Sequence, residues 1–313
     1  MLCQLSYGHH GRRLYHTGRE KFHSCLRPID KVGAIVTNSV VKISGRRYST
    51  PEKLCSALAT KFTRSRRLVL LLDYDGTLIP LPRRVGDERP SRELLKLLRA
   101  IEKMPDVTPA VVTGRTVDGI RSLLPLRKTW FVGIHGVQMC RGRGRTTFLI
   151  RTAGIRTSVR TVLHDLRGQI DPKFFLEDKT LGASVHLQGA TPAEFIRIRR
   201  IFMRRAAALI RCGAFKFSSG KRVIEVKPAA AHKGLAVAAL CGPRPDGKTF
   251  CIAIGDDRTD EDMFRSVRGR GIGIAVGDRA RGADARLRSV SSVRKFLRRL
   301  PVLWSSRSAE API

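Results

Sequence analysis

The sequence contains no long apolar run, and this absence excludes a protein that spans a membrane with helices. Across 313 residues the longest uninterrupted apolar stretch is 235–241, seven residues, whereas a transmembrane helix needs about 20. The amino-terminal region has no apolar segment typical of a secretory signal, and the chain shows no internal repeat. Apolar residues still make up 42% of the chain, which is enough to form the core of one large or two moderate domains.

Closely spaced cysteine pairs are also missing. The seven cysteines are widely scattered, and none forms a CxxC pair. A disulfide framework and a structural zinc site are therefore not indicated. This pattern favours a reduced, cytoplasmic compartment.

Acidic residues are scarce. The chain has 26 Asp and Glu against 60 Lys and Arg, which gives a formal charge of +34. Such a chain can bind nucleic acid by releasing counterions. However, the 44 arginines and 16 lysines are spread over the whole length, and neither a clustered basic patch nor a nucleic-acid-binding motif is visible. We therefore expect a generally cationic surface rather than a nucleic-acid partner.

The first 65 residues differ from the rest, because only Glu20 and Asp30 are acidic before Thr50 and no hydrophobic period persists. We expect a disordered or weakly structured basic leader, with an organelle transit peptide as the alternative. Residues 51–61 can form a short helix that leads into the folded part.

Short buried strands alternate with helices from residue 67 onward. Alternation of this kind predicts right-handed βαβ units and a parallel central sheet, and therefore an α/β fold. Helices are expected after Ser91, over 117–124, over 232–241 and at the end of the chain over 290–300. The predicted buried strands are 68–72, 109–112, 130–134, 249–254 and 271–276.

The middle of the chain has a different pattern. Residues 183–188 alternate apolar and polar side chains, as in a half-exposed strand. Thr191 and Glu194 form a capping box at a helix start, and residues 215–226 indicate a hairpin. These features predict a smaller α+β domain at 151–228, inserted into a core formed by 66–150 and 229–300, with a tail at 301–313.

Polar residues follow four of the predicted strands, where ligands bind to open α/β sheets. The loops are 73–77 (DYDGT), 113–115 (TGR), 135–136 (HG) and 255–260 (GDDRTD). Five carboxylates would then share one cleft and repel each other unless a cation lies among them. Hard oxygen ligands with room for a phosphate favour Mg²⁺. These carboxylates belong to Asp73, Asp75, Asp256, Asp257 and Asp260.

Asp73 and Asp75 can divide the work of phosphoryl transfer. One carboxylate can attack phosphorus and form an aspartyl-phosphate, while the second protonates the leaving oxygen and later deprotonates water. Thr113 and Lys233 could hold the remaining phosphate oxygens by hydrogen bonding and charge. Taken singly, each motif is also compatible with a plain loop, a helix cap or a solvated lysine, and only the ordered set favours the catalytic interpretation.

The sequence resembles the four motifs of the haloacid-dehalogenase-like phosphatases at residues 72–78, 113–115, 233–234 and 255–262. More narrowly, DYDGTL, the GxHG segment at 133–136, Glu177 with Lys179, Lys221 with Glu225, and GDDxTDED resemble the trehalose-6-phosphate phosphatase family over about residues 66–300. The resemblance implies a Rossmann-like core with a mobile α+β cap.

The resemblance also implies roles for individual residues. Asp73 would be the nucleophile and Asp75 the acid and base. Mg²⁺ would bind the Asp73 carboxylate, the Asp75 backbone carbonyl and Asp256, supported from behind by Asp257 and Asp260. The substrate-binding residues would be Arg115, Glu177, Lys179, Ser219, Gly220, Lys221 and Glu225.

Two positions depart from the family pattern. Gln188 stands where members often have Arg, and Gln138 stands where they have an acid, so both bear on sugar specificity.

The expected reaction is Mg²⁺-dependent hydrolysis of trehalose 6-phosphate. One alternative is another sugar phosphate as substrate, such as sucrose phosphate or a mannosyl phosphoglycerate. A second alternative is a non-catalytic cationic nucleic-acid-binding or regulatory protein. We expect a monomer served by a separate trehalose-6-phosphate synthase, since no synthase domain is visible.

Overall fold

The computed structural model describes residues 48–82, 89–219 and 222–306. Most of the predicted leader, the tip of the predicted hairpin and the last residues of the predicted tail therefore lie outside the described residues. Among the residues that are described, no helix is long and apolar enough to cross a membrane.

The helices and strands follow one another along the chain in this order: α1 (Pro51–Phe62), β1 (Arg67–Leu72), α2 (Arg92–Ile101), β2 (Val107–Val112), α3 (Val117–Leu123), β3 (Trp130–Gly133), β4 (Gln138–Arg141), β5 (Thr147–Phe148), α4 (Ile155–Arg167), β6 (Phe175–Asp178), β7 (Ala183–His186), α5 (Pro192–Arg211), β8 (Phe215–Ser219), β9 (Val223–Pro228), α6 (Gly234–Cys241), β10 (Thr249–Gly255), α7 (Glu261–Ser266), β11 (Gly271–Val276), β12 (Ala285–Leu287) and α8 (Val290–Ser305).

The larger sheet is the predicted parallel core. Its strand order is β12-β11-β10-β1-β2-β3-β4-β5, and neighbours from β12 to β3 run parallel. β4 and β5 add an antiparallel edge. Because β1 lies between β10 and β2, the carboxyl ends of these three strands meet at one edge of the sheet. The 73–77, 113–115 and 255–260 loops all begin there.

Apolar residues fill both faces of this sheet. Leu68, Leu70 and Leu72 of β1 belong to one buried cluster, and Val69 and Leu71 belong to the cluster on the opposite face. A strand buried on both sides is what its unbroken apolar run predicts. Helices therefore cover both faces, as the α/β prediction requires.

The second sheet is smaller and antiparallel, with strand order β6-β7-β9-β8. Residues of α4 and α5 pack on it and form a separate apolar cluster. The capping box at the start of α5 is present, because the Thr191 hydroxyl accepts from the Glu194 amide while Glu194 accepts from the Thr191 amide. An inserted α+β unit thus lies between β5 and α6 in the chain. The exact domain boundaries stay a prediction.

Several elements differ from the sequence-based expectation. The patterns above did not predict β4, β5, α4, β6 and β12. The four strands are two to four residues long and have neither an unbroken apolar run nor a regular alternation. α6 begins at Gly234 rather than at 232. α8 continues through Pro301 to Ser305, five residues into the predicted tail.

The predicted short helix at the end of the leader region is present as α1, and it belongs to the core. Leu54, Leu58 and Phe62 are buried in the same cluster as β1. The Phe62 ring packs edge-on against Trp304 of α8, with ring centroids 5.0 Å apart. The folded part of the chain therefore starts before residue 65.

Candidate active site

Asp73 is the first residue after β1, and it is almost completely buried. Its amide donates to the Ile254 carbonyl at 2.9 Å, which fixes it beside the end of β10. Its carboxylate accepts hydrogen bonds from Lys233 Nζ at 2.6 Å and from Thr77 Oγ1 at 3.2 Å. The predicted nucleophile is therefore held at both oxygens by neighbouring side chains.

Lys233 joins two of the predicted motifs. Its Nζ, buried at the start of α6, also donates to Asp260 at 2.6 Å. Burial by itself would lower the pKa of Lys233, but the adjacent Asp260 and Asp73 charges outweigh it and raise that pKa. Lys233 is therefore a permanent cation between two buried carboxylates.

Asp256 lies beside Asp73 because β10 and β1 are parallel neighbours. Ligand oxygens of Asp73, Asp256 and Asp260 all lie within 4.8 Å of one another. Burial, followed by repulsion from neighbouring carboxylates, raises the pKa of Asp256. Burial likewise raises the pKa of Asp73 well above the ordinary range, with Lys233 opposing the shift. Three buried acids so close together form a site that a divalent cation would stabilise.

Gly76 allows this close approach. Its φ is +87°, and a Cβ at this position would lie 2.4 Å from the Asp256 carboxylate. Only glycine combines that backbone conformation with that contact. The glycine of the DYDGT motif is therefore part of the geometry of the acid cluster.

The Asp75 carboxylate has a different partner. Arg115, from the loop after β2, donates to it through Nε at 2.7 Å and through Nη2 at 2.8 Å. This bidentate pair is about three-quarters buried and orients the carboxylate. The structure thus brings Asp75 and Arg115 together, whereas the sequence interpretation placed Arg115 among the substrate-binding residues only.

The remaining core residues take supporting positions. Thr113 directly follows β2 and is buried, and its hydroxyl accepts from the Arg115 amide at 3.2 Å. The Asp257 amide donates to Asp260 at 2.9 Å, so Asp257 shapes the loop that presents Asp260. Asp256 also contacts Arg279 at 2.5 Å, a partner that no sequence motif indicated.

A charged cluster in the cap contains three of the predicted substrate-binding residues. Lys179 contacts Glu225 at 2.8 Å and Glu177 at 3.8 Å, and Glu177 contacts His186 at 2.8 Å. Burial would lower the pKa of Lys179, yet the charge of Glu225 and then that of Glu177 raise it. β6, β7 and β9 are adjacent strands, so the topology of the small sheet assembles this cluster.

His135 connects this cluster to the core. Its Nε2 lies 3.3 Å from a Glu225 carboxylate oxygen, although His135 follows β3 and Glu225 lies in β9. Burial is the largest effect on its pKa and lowers it to about 4. The ring lies against Gly114, where a Cβ would be 2.7 Å from it. The HG motif marked this position without assigning a role to the histidine.

The residues at the hairpin are only partly described. Ser219, a predicted substrate-binding residue, is the last residue of β8 and is exposed. The neighbouring Ser218 donates its hydroxyl to the Glu225 carboxylate at 3.3 Å. Gly220 and Lys221 lie outside the described residues.

Gln138, which departs from the family pattern, is buried. Its side chain accepts from the Val117 amide at 2.9 Å and so holds the start of α3 in place.

Two solved structures share the fold. The trehalose-6-phosphate phosphatase C-terminal domain of C. albicans has a TM-score of 0.66 at 23% identity, covering 82% of this chain and 99% of that domain. A haloacid dehalogenase-like hydrolase from Bacteroides thetaiotaomicron has a TM-score of 0.50 at 13% identity, covering 75% of this chain and all of the other. These likenesses show the fold, an α/β core with an inserted α+β cap, as predicted.

Sequence relatives narrow this class. Residues 71–291 match the family model described as Trehalose-phosphatase. "Probable trehalose-phosphate phosphatase I" of Arabidopsis thaliana is 30% identical over 264 residues, covering 77% of this chain and 69% of the relative. The bifunctional trehalose-6-phosphate synthase/phosphatase of Thermoproteus tenax is 30% identical over 247 residues, covering 78% of this chain and 33% of the relative. The chain belongs to the trehalose-phosphatase family, and it is a phosphatase that hydrolyses phosphoric monoesters.

Proposed function

We propose that this chain hydrolyses trehalose 6-phosphate to trehalose and inorganic phosphate, with Mg²⁺, through an aspartyl-phosphate. The observation that carries the proposal is the cluster of Asp73, Asp256 and Asp260 beside Lys233 at the carboxyl edge of the parallel sheet. A nucleophilic carboxylate, a site for a cation and a fixed ammonium group are the parts that phosphoryl transfer requires.

The core residues then have distinct roles. The Asp73 carboxylate attacks phosphorus, and Asp75, held in place by Arg115, gives a proton to the leaving sugar oxygen. Asp75 later takes a proton from the water that hydrolyses the aspartyl-phosphate. Lys233 and Thr113 donate hydrogen bonds to the phosphate oxygens.

The acid cluster fits Mg²⁺. All of its side-chain donors are carboxylate oxygens, which are the ligands this ion prefers. Asp73, Asp256 and the Asp75 backbone carbonyl would hold the ion, while Asp257 and Asp260 support them. When bound, Mg²⁺ would shield the phosphate charge from the attacking carboxylate.

The cap cluster would recognise the sugar. Glu177, Lys179 and Glu225 offer charged donors and acceptors, which make strong directional bonds to hydroxyl groups. The sugar site would be completed on substrate binding by Ser219, Gly220, Lys221 and Arg115. Closure of the cap over the core would exclude water from the reaction.

The proposal includes the compartment, the oligomeric state and the source of the substrate that the sequence predicts. The scattered cysteines favour the cytoplasm, a monomer is expected, and a separate synthase would supply the substrate. The Thermoproteus tenax relative carries both activities in one chain, which supports the pairing of the two reactions.

Phosphate release from the purified chain tests the proposal. We expect release from trehalose 6-phosphate that stops when a chelator removes Mg²⁺ and returns when Mg²⁺ is added. Asp73→Asn should abolish turnover, whereas Asp118→Asn should not, because Asp118 is exposed and its one ion pair among the described residues is with Arg121. Retained activity in Asp73→Asn would disprove the covalent mechanism.

A panel of sugar phosphates tests the substrate. We expect kcat/KM to be highest for trehalose 6-phosphate. A higher value for sucrose phosphate or a mannosyl phosphoglycerate would keep the chemistry and overturn the substrate assignment.

A further inference from the structure

A buried pair of cysteines lies outside the residues used above. Cys241 is the last residue of α6, and Cys251 lies in β10. Both are buried among the apolar residues on one face of the parallel sheet. The Cys251 thiol donates to the Cys241 sulfur across 3.0 Å.

We propose that Cys241 and Cys251 form a redox-active dithiol that a peroxide converts reversibly into a disulfide. A disulfide needs a sulfur–sulfur separation of about 2.05 Å, so the present 3.0 Å separation requires a shift of only about 1 Å. The two sulfurs are already in hydrogen-bond contact.

The surroundings shift the pKa values of the two thiols in opposite directions. The hydrogen bond from Cys251 lowers the pKa of Cys241, and the Arg270 and Arg67 charges lower it further against the effect of burial. The pKa of Cys251 is raised by the same hydrogen bond and by burial. Cys241 is therefore the sulfur that ionises and reacts, and Cys251 is the protonated partner that resolves it.

Arg270 binds the backbone at the carboxyl end of α6. Its guanidinium donates to the Cys241 carbonyl at 3.2 Å and to the Gly242 carbonyl at 2.7 Å. Its Nε is buried and has no hydrogen-bond partner among the described residues. The positive charge of Arg270 favours a thiolate at Cys241.

The reaction balances with a peroxide as the oxidant. The Cys241 thiolate attacks one peroxide oxygen, the O–O bond breaks, and a sulfenic acid and hydroxide form; the hydroxide takes up the proton released from Cys241. The Cys251 sulfur then attacks the Cys241 sulfur, the S–O bond breaks, and water leaves with the Cys251 proton. Two thiols are oxidised to one disulfide, and hydrogen peroxide is reduced to two waters.

The bond would link two elements that carry site residues. α6 begins directly after Lys233, and β10 ends directly before Asp256. The disulfide would close a short loop between them, which limits the unfolded chain and stabilises the fold. In a reduced compartment a bond of this kind is transient and responds to oxidants.

Peptide mapping of the full chain tests the proposal. After brief treatment with hydrogen peroxide, blocking of free thiols and trypsin digestion, we expect peptide 234–248 to be disulfide-linked to peptide 249–258, and dithiothreitol to separate them. The linkage should be lost in Cys241→Ala and retained in Cys212→Ala, since Cys212 is exposed and donates only to a backbone carbonyl. Oxidation of Cys212 with both pair thiols still free to alkylate would overturn the proposal.

Thermal unfolding gives a second measurement that needs no substitution. Oxidised wild type should have a Tm about 5 °C above that of the reduced protein, and dithiothreitol should reverse the increase. An unchanged or lower Tm, or conversion of Cys241 to sulfinic acid without any linked peptide, would also contradict the dithiol.

Discussion

Lys233 Nζ and the Asp73 carboxylate lie 2.6 Å apart, although 160 positions separate the two residues in the chain. The contact forms because Asp73 directly follows β1 and α6 begins just after Lys233 on the same edge of the sheet. The ammonium group also contacts Asp260, so one buried cation compensates two buried anions. The acid cluster therefore depends on this lysine for stability as well as for chemistry.

Replacement of Lys233 with Met should destabilise the protein. It leaves Asp73 and Asp260 buried without their cation, which costs roughly 3–5 kcal/mol of unfolding free energy. Urea unfolding at pH 7 measures this loss, and phosphate release should disappear as well. Lys248→Met is the matched control because Lys248 is exposed. A Lys233→Met variant with the stability and activity of the control would show that the buried ion pairs contribute little.

Replacement of Gly76 with Ala should impair the acid cluster. The new Cβ would lie 2.4 Å from the Asp256 carboxylate at a φ of +87°, so either the loop or the carboxylate must move. We expect a loss of roughly tenfold or more in kcat/KM, equivalent to about 1.4 kcal/mol, and a higher Mg²⁺ concentration at half-maximal activity. Gly168→Ala should change neither value, since φ at Gly168 is −84° and a Cβ added there would have no neighbouring atom within 4 Å. Equal behaviour of the two variants would mean that Gly76 is not required for metal binding.

Replacement of Glu225 with Gln should affect sugar recognition more than the chemical step. Glu225 is held by Lys179 at 2.8 Å and is proposed to bind sugar hydroxyls. We expect KM for trehalose 6-phosphate to rise by about tenfold, with a much smaller change for p-nitrophenyl phosphate, which has no sugar. The comparison of two substrates on one enzyme removes any effect of partial unfolding. Glu52→Gln, whose carboxylate pairs with Arg299 on the core surface, should leave both substrates unaffected.

His135 predicts a pH dependence of stability. Burial lowers its pKa in the folded state to about 4 from the ordinary value of 6.5, so the unfolded chain binds a proton first as the pH falls. Stability contributed by the neutral ring is full above pH 6.5 and is lost between pH 6.5 and pH 4. From pH 7 to pH 5 we expect the unfolding free energy to fall by about 2 kcal/mol.

His135→Asn tests the source of that loss. Asn tolerates the left-handed backbone that His135 adopts at φ +52°, and it does not titrate. The variant should lose much less stability over the same pH range in urea unfolding experiments. An identical slope in wild type and variant would assign the pH dependence to other groups.

Short apolar runs followed by polar residues were enough to predict most strands of the central sheet. The apolar run before Asp73 and the run before Asp256 could only be buried strands, and acids placed directly after such strands meet at one edge of a parallel sheet. The Thr191 capping box was equally local, since its two partners are three residues apart. The short strands β4, β5, β6 and β12 were missed because they have neither the unbroken apolar run nor the alternation that marks the predicted strands.

Contacts between distant segments could not be predicted in this way. The motifs supplied five candidate carboxylates without distinguishing their partners. The tertiary structure pairs Asp75 with Arg115 and places Asp260 with Asp73 and Asp256. It also brings His135 to Glu225 across the boundary between the two sheets, a contact between residues that lie in different motifs.

The sequence by itself therefore determined the α/β architecture, the carboxyl edge at which the polar loops gather, and the residue types available there. These properties follow from hydrophobic periods and strand ends, which are local. Only the tertiary structure decided which side chains touch, because side-chain direction after a strand depends on packing and on special backbone conformations. The positive φ values of Gly76 and His135 aim the loops that complete the site, and no periodicity in the sequence encodes them.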